Sequence, residues 1–276
     1  MLDQNSISYV WGCRMRKTFA EVLRTGGVDI KTEYYSLHAL VFESDGLYEK
    51  MKLDFRGVWF AGTAVSLDDF NLRHGFSFTV PPTDPSLDDL LSFCEYCYNF
   101  ACALPSPSYY GTDCCMEVID HIEVLADQLD YVLVDDDDLR ILVARNANVQ
   151  AAAEVAPAEI AFDLVKYDYR GYDGDLEGKR AILLRLIGYL EPKRKQLEAL
   201  AKDVTNDLFF IANNLNLRHN NTDPHNAGKY KQVVADMDVT ELEGWYDLCR
   251  DLCAAAILLL GYEDKREELA EVKKRL

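Results

Sequence analysis

The most reactive side chains of this sequence lie in one polar stretch, Asn213–Asn226, between two long apolar patterns. Arg218 is followed by His225, with six residues between them. Histidine titrates near neutral pH and can accept or donate a proton, and arginine keeps its charge and presents a planar fork of donors that suits a phosphate. The pair therefore indicates a candidate site for chemistry at a phosphate group.

The neighbours of this pair add further polar groups. His219 and Asn220 follow the arginine directly, and the amides of Asn220 and Asn221 could orient a bound phosphate or either reactive side chain. A structural interpretation stays open beside this one, because arginine and asparagine at a helix end commonly bond the free carbonyls and shape the turn. A histidine next to a proline, such as His225, is often an ordinary loop residue.

Two cysteine pairs are candidate metal ligands by spacing alone. Cys94 and Cys97 are separated by two residues, and Cys249 and Cys253 by three. Neither pair has the paired loops or nearby histidines typical of a zinc site, and both fall on the apolar face of a predicted helix. We therefore interpret all four as reduced cysteines that pack in the core.

Four consecutive aspartates, Asp135–Asp138, are a second candidate metal site. They lie between Tyr131–Val134 and Leu139–Val143, whose patterns predict the two strands of a hairpin. Carboxylates bind hard cations such as Mg²⁺ or Ca²⁺, but a calcium loop spaces its ligands and includes a glycine for the bend. A solvated acidic turn is the simpler interpretation, so the sequence predicts no metal and no cofactor.

The other histidines offer weaker candidates. His38 and His121 fall within helical patterns, where a core or surface role is expected. His74 is predicted to lie in a loop, without an identifiable partner.

The composition limits the partners that the chain can bind. The 276 residues carry 47 acidic and 29 basic side chains, a formal net charge of −18. This balance excludes a broad basic surface that coats nucleic acid, so any RNA contact must be local. The longest apolar stretch, Cys253–Leu260, is far shorter than a membrane span, and the N-terminal residues do not resemble a signal peptide. A soluble, cytoplasmic protein is expected.

Two domains are expected, and residues 1–150 are predicted to form a mixed α+β region with short strands. Besides the hairpin, its patterns predict helices around Thr18–Leu23 and Tyr35–Phe42, from Ser86 to Leu104 and from Cys114 to about Leu129, and strands at 57–65 and 76–80.

Residues 151–276 are predicted to be almost entirely helical, which makes the chain mainly α. Asp175 is positioned to cap a helix that Pro192 kinks or ends. The apolar spacing of three and four residues then continues to Leu215. These patterns predict a long amphipathic element with a break.

A further helix is predicted after the polar stretch. Thr240–Glu243 has the capping pattern of a helix start, and Gly261 is its natural stop. The charged tail 263–276 is predicted to be a solvent-facing helix, because its acids lie three or four residues from lysine or arginine.

An arginine followed by a histidine between two helices of a small bundle resembles the R-x4–6-H motif of the HEPN superfamily. The interval here is six, and the family usually has a polar residue straight after the arginine, as His219 and Asn220 are. The resemblance covers roughly residues 155–276 and extends to HEPN-like domains of abortive-infection and phage-defence proteins. It implies an antiparallel helical bundle as the C-terminal fold.

This resemblance implies a metal-independent endoribonuclease of toxin or phage-defence type. His225 would take the proton of a ribose 2′-hydroxyl or return one to the leaving 5′ oxygen, and Arg218 would neutralise the phosphate. HEPN domains act as homodimers, so two such pairs would share one cleft. A local positive patch would complete it, for which the candidates are Lys193, Arg194, Lys195, Lys229 and Lys231.

The same resemblance leaves the partners and the activity open. RNA, with tRNA as one candidate, is the expected substrate, and an antitoxin or sensor protein is a further expected partner. Residues 1–150 would then regulate the nuclease or sense that partner. The alternative is a catalytically inactive HEPN-like module for dimerisation or protein interaction, and a third hypothesis is that the acidic N-terminal region imitates nucleic acid.

Overall fold

Helices form most of the computed structural model, which describes residues 27–105, 114–226 and 228–276. The expectation of a mainly helical chain is thereby confirmed. Two compact units divide between His121 and Ile122. The boundary expected near residue 150 falls inside a helix of the second unit, Ala147–Val155, which packs on two later helices of that unit.

The longer regular elements in the described part of the first unit are helices. They are α1 (Ile30–Phe42), α2 (Leu47–Asp54), α3 (Leu67–His74), α4 (Leu87–Ala103) and the first half of α5 (Cys114–Gln128). The predicted helices at Tyr35–Phe42, Ser86–Leu104 and Cys114–Leu129 are confirmed. The predicted helix around Thr18–Leu23 lies outside the described residues.

Caps explain where two of these helices begin. Ser86 accepts a hydrogen bond from the amide of Asp89, and the Asp89 carboxylate accepts one from the Ser86 amide, which completes a capping box. Asp29 caps α1 by accepting from the Thr32 amide, so this helix begins several residues before its apolar pattern does.

The strands predicted at 57–65 and 76–80 are wrong. The first segment forms two short 3-10 turns, Phe55–Gly57 and Trp59–Ala61, and Gly62 then takes a left-handed φ of 59° that no strand adopts. In the second segment Phe76 and Phe78 both pack on the ring of Tyr96. The alternating aromatics are therefore anchors of an irregular segment, without a partner strand among the described residues.

The predicted hairpin is confirmed and belongs to the second unit. Strands β1 (Tyr131–Asp136) and β2 (Leu139–Ala144) pair antiparallel, with Val134 opposite Ile141. Asp137 has a left-handed φ of 55° in the turn between them.

The rest of the second unit is a set of helices around one apolar core. They are α6 (Ala147–Val155), α7 (Ala158–Lys166), α8 (Leu176–Leu190), α9 (Arg194–Leu200), α10 (Lys202–Asn214), α11 (Gln232–Ala235) and α12 (Val239–Arg275). Asp175 caps α8 through the Gly178 amide as predicted. Pro192 lies in a 3-10 turn between α8 and α9, so the expected break is also confirmed.

Helix α12 differs from its prediction at both ends. Its cap is Asp238, which accepts from the Glu241 amide, rather than Thr240. The helix continues through Gly261 instead of stopping there. A Cβ on Gly261 would come within 3.0 Å of Val155, so this glycine permits close packing of α12 on α6.

The remainder of α12 is a largely exposed helical tail, as predicted. Across the described ranges, no helix is both long and apolar enough to span a membrane.

Candidate functional site

The loop between α10 and α11 is closed by two asparagines. Asn216, at a left-handed φ of 58°, donates its amide to Oδ1 of Asn221 at 2.9 Å, and the Asn221 amide donates to Oδ1 of Asn216 at 3.1 Å. The Asn221 side chain also donates to the carbonyl of Lys229 at 2.7 Å, and Asn221 is fully buried. The polar stretch is therefore a fixed loop.

Two further contacts attach this loop to the helices beneath it. The Arg180 guanidinium on α8 donates to the Leu217 carbonyl at 2.8 Å, and the Tyr246 hydroxyl on α12 donates to the Asn216 carbonyl at 3.3 Å. Leu217 itself is fully buried in the core. The start of the loop thus has a defined position on the second unit.

Arg218 is held at this anchored end. Its amide donates to the Ala212 carbonyl of α10 at 3.0 Å, its guanidinium donates to Glu191 Oε1 at 2.7 Å, and it lies 5.5 Å from the ring centre of Phe209. Its side chain is 19% exposed. Arg218 therefore presents a positioned positive charge that can still be reached from solvent.

His225 lies in an exposed turn of the same loop. Its amide donates to the Asp223 carboxylate at 2.9 Å, which fixes the backbone of the turn. Within the part of the chain that the structure describes, no hydrogen bond or ion pair joins His225 to Arg218. The structure thus brings the two predicted residues into one fixed loop without direct contact.

The three other predicted residues differ in exposure. Asn220 is exposed and accepts from the Thr222 hydroxyl at 3.0 Å, and His219 is half-buried. In the side-chain amide of Asn221, by contrast, the oxygen accepts from the Asn216 backbone amide and the nitrogen donates to the Lys229 carbonyl. Asn221 therefore serves the loop structure, and Asn220 is the amide that a ligand can reach.

A second guanidinium shares the aromatic ring beneath Arg218. Arg194, at the start of α9, lies 4.6 Å from the ring centre of Phe209 and pairs with Glu198 at 2.8 Å. Cations over an aromatic face are attracted by the ring quadrupole, which also holds their orientation. Arg194 and Arg218 thus both contact the Phe209 ring, and each is also paired with a glutamate.

The other expected patch residues differ in their contacts. Lys193 lies 3.5 Å from the ring centre of Tyr189 at the α8–α9 break. Lys195, Lys229 and Lys231 are exposed. Among these five cations, Arg194 is the one that contacts the same ring as Arg218.

Sequence reasoning missed three residues of this site: Glu191, Phe209 and Asn216. A signal existed only for Asn216, because asparagine tolerates the left-handed backbone that a loop needs. Glu191 and Phe209 read as ordinary helix residues until folding places them against Arg218.

In the described ranges, no three His, Cys, Asp or Glu side chains group so that they could hold an ion. Of the aspartate run, Asp135 pairs with Arg140 at 2.7 Å and Asp136 with Lys166 at 2.5 Å. These carboxylates already have cationic partners within the protein.

The two cysteine pairs are buried in α4 and α12. Burial raises the pKa of the Cys97 thiol well above its usual value, and a hydrogen bond with Cys249 together with burial does the same for Cys253. Thiols protonated in this way are poor nucleophiles and poor metal ligands.

The remaining histidines pack within the first unit. His38 stacks on Phe42, with ring centres 4.3 Å apart, and its Nε2 lies 3.0 Å from the Phe78 carbonyl. His74 is the last residue of α3 rather than a loop residue, and its ring packs on Phe70. His121 faces Glu33 at 3.9 Å.

No protein-family model, no curated protein and no solved structure matches this chain. What the loop can do chemically is therefore argued from its side chains alone. A positioned guanidinium suits a phosphate, and an exposed imidazole suits proton transfer.

Proposed function

We propose that the second unit is a metal-independent endoribonuclease of HEPN type, with a role in toxicity or phage defence. The observation that supports this most is the placement of Arg218 and Arg194 on one ring, beside the fixed loop that exposes His225. The two guanidiniums would bind the scissile phosphate, and the imidazole would transfer the proton. RNA, with tRNA as one candidate, is the proposed substrate, and the cytoplasm the proposed location.

The reaction requires no co-reactant. The ribose 2′ oxygen attacks the adjacent phosphorus, the bond to the 5′ oxygen breaks, and a 2′,3′-cyclic phosphate and a 5′-hydroxyl result. One proton leaves the 2′-hydroxyl and one joins the 5′ oxygen, and His225 would carry out one of these transfers. Arg218 would stabilise the negative charge that grows on the phosphate.

Cleavage of RNA by the wild type and not by His225→Ala is the expected result that tests this proposal. Loss of the proton-transfer group should slow cleavage by about 10²–10⁴-fold. Purified proteins would be incubated with total RNA and with tRNA in EDTA, and the products examined for cyclic-phosphate ends. Arg218→Ala should lose activity as well.

The control is His74→Ala, which removes a histidine of the first unit that has no role in the proposed reaction. Because the His225 side chain is exposed, His225→Ala should keep the circular dichroism and thermal midpoint of the wild type. Equal cleavage by wild type and His225→Ala would exclude His225 as the proton-transfer group.

Glu191 supplies a separate prediction, because its carboxylate neutralises Arg218 in the free protein. An RNA phosphate must replace that carboxylate, so Glu191→Gln should bind a short single-stranded RNA roughly threefold to tenfold more tightly. Fluorescence anisotropy measures the two affinities.

Glu263→Gln is the matched control, because it removes the same charge from a glutamate that pairs with Arg266 instead of Arg218. Equal affinity changes in both variants would mean that net charge, rather than release of Arg218, controls RNA binding.

A catalytically inactive dimerisation or interaction module is the second candidate function. The Arg218–Glu191 ion pair favours it, because a neutralised arginine needs no substrate to satisfy it. Absence of both cleavage and RNA binding in the wild type would support this candidate. In either case, we propose that the preceding part of the chain senses a partner such as an antitoxin.

A further inference from the structure

An open pocket of about 480 Å³ lies between α7 and α8 of the second unit. Small-molecule sites in proteins usually measure roughly 300–1,000 Å³, so the pocket is large enough for a ligand. None of its lining side chains belongs to the polar loop between α10 and α11. They are Glu159, Ile160, Phe162, Asp163, Arg185 and Tyr189.

A buried ion pair forms the polar part of this pocket. The Asp163 side chain is 8% exposed, and it accepts from Nε of Arg185 at 2.7 Å and from Nη2 at 2.6 Å. Two parallel hydrogen bonds of this kind fix the plane of the guanidinium. The Arg185 side chain is 54% exposed and its Nη1 takes no part in the pair. Two N–H donors of a fixed guanidinium therefore remain for the carboxylate of a ligand.

A second carboxylate lies one helical turn from this pair. Glu159 precedes Asp163 by four residues on α7, which places their Cβ atoms about 5–6 Å apart on one face of the helix. Glu159 is exposed, and among residues 27–105, 114–226 and 228–276 no cation pairs with it. The pocket thus presents an acceptor for an ammonium group close to the donors for a carboxylate.

The rest of the lining is apolar. Phe162 and Tyr189 contribute aromatic rings and Ile160 a branched side chain, and all three are partly buried. Apolar walls with a few polar groups that fix orientation are typical of small-molecule sites. A ligand for this pocket therefore needs an apolar group as well as its charges.

The charges of the lining fit a zwitterion. A ligand with only a negative charge would be repelled by Glu159. A ligand with only a positive charge would be repelled by Arg185 and by Lys193, whose ammonium lies 3.5 Å from the ring centre of Tyr189. An α-amino acid carries both charges on adjacent carbon atoms, so it is short enough to reach both partners.

We propose that this pocket binds a free α-amino acid with a large apolar side chain. Its carboxylate would accept from Arg185, its ammonium would donate to Glu159, and its side chain would lie against Phe162 and Tyr189. This inference is independent of the proposed nuclease activity.

Titration calorimetry of the full chain with L-phenylalanine tests the proposal. We expect a dissociation constant of about 0.1–1 mM for so small a ligand. Phenylacetate lacks the ammonium and 2-phenylethylamine lacks the carboxylate, so each should bind at least about tenfold more weakly, the loss expected for one hydrogen bond between charged groups. L-Alanine, which lacks the large apolar group, should also bind more weakly.

Glu159→Gln tests the contact with the ammonium alone. It should weaken the binding of L-phenylalanine about tenfold without weakening that of phenylacetate, because only the ammonium loses its partner. The variant should keep the circular dichroism of the wild type, since Glu159 is exposed. Glu154→Gln is the matched control, because it removes an exposed acid of α6 outside the lining, and it should bind like the wild type.

Three results would overturn the proposal. The first is no binding of L-phenylalanine up to about 10 mM. The second is equal affinity for L-phenylalanine and 2-phenylethylamine, which would mean that Arg185 does not bind the carboxylate. The third is an unchanged affinity for L-phenylalanine in Glu159→Gln.

Discussion

Asn221→Ala should lower the free energy of unfolding of the second unit by about 2–4 kcal/mol. The substitution removes the acceptor of the Asn216 amide and the donor to the Lys229 carbonyl, both of which the fully buried Asn221 side chain supplies. A backbone group that loses its partner inside a protein also loses its access to water, which makes the loss larger than that of an exposed hydrogen bond. Urea unfolding followed by circular dichroism measures the effect.

The adjacent Asn220 provides the matched control for this prediction. It is exposed and its amide oxygen accepts from the Thr222 hydroxyl in an exposed contact rather than from a buried group, so Asn220→Ala should change stability by less than about 0.5 kcal/mol. Similar losses in the two variants would show that Asn221 does not close the loop as the hydrogen bonds indicate. The comparison also separates the loop-forming amide from the one that a ligand can reach.

The contrast between these two asparagines shows what the sequence could predict at the site. The polar stretch and its place between two helices follow from the apolar pattern, which stops at Leu217. Nothing local distinguishes Asn220 from Asn221, because the difference arises from contacts with Asn216 and Lys229 that the folded loop creates. The sequence shows which residues are polar. Only the folded loop shows which of them form its internal hydrogen bonds.

The fold shows the same contrast between local signals, which the sequence reveals, and contacts between residues far apart in the sequence, which it does not. The caps at Ser86 and Asp175 were predictable because a cap bonds to amides two or three residues away. The prediction that Gly261 ends a helix is wrong, because this glycine serves the close packing of α12 on Val155, a residue far away in the sequence. The phenylalanines at 76 and 78 imitate a strand, since alternation also arises when an irregular segment places aromatic rings on Tyr96.

A buried lysine joins α8 to α12, and its replacement is expected to have the second large effect on the stability of the second unit. Lys179 is 6% exposed, and its ammonium lies 2.7 Å from Glu243 Oε1 and 3.0 Å from Asp247 Oδ1. Burial lowers the pKa of Lys179, but the hydrogen bonds to the two carboxylates outweigh it and raise the pKa above its ordinary value. Lys179 is therefore charged at neutral pH inside the unit.

The surrounding groups depend on this cation. Tyr167 packs beneath Lys179, 5.0 Å from ammonium to ring centre, and donates its hydroxyl to Asp247 at 2.8 Å. Glu243 also accepts from the Gly174 amide at 2.9 Å, which ties the segment before α8 to α12. Removal of the ammonium would leave two carboxylates close together without the charge that balances them.

Lys179→Met should therefore destabilise the second unit by about 2–4 kcal/mol. Methionine retains most of the side-chain volume, so the loss reports the missing charge rather than a cavity. The value lies below that of a fully buried pair, because the Asp247 side chain is 43% exposed and keeps some hydration. The exposed Lys195→Met is the control and should change stability by less than about 0.5 kcal/mol in the same urea unfolding.

A second set of substitutions distinguishes loss of charge balance from loss of packing. Adding Glu243→Gln and Asp247→Asn to Lys179→Met removes the unbalanced carboxylate charges while it keeps their shapes, so the triple variant should regain part of the lost stability. If the triple variant is less stable than Lys179→Met alone, the carboxylates stabilise the unit through hydrogen bonds to Gly174 and Tyr167 rather than through the ammonium. Recovery, in contrast, would mean that Lys179 is buried at this position to balance the two acids that α12 presents.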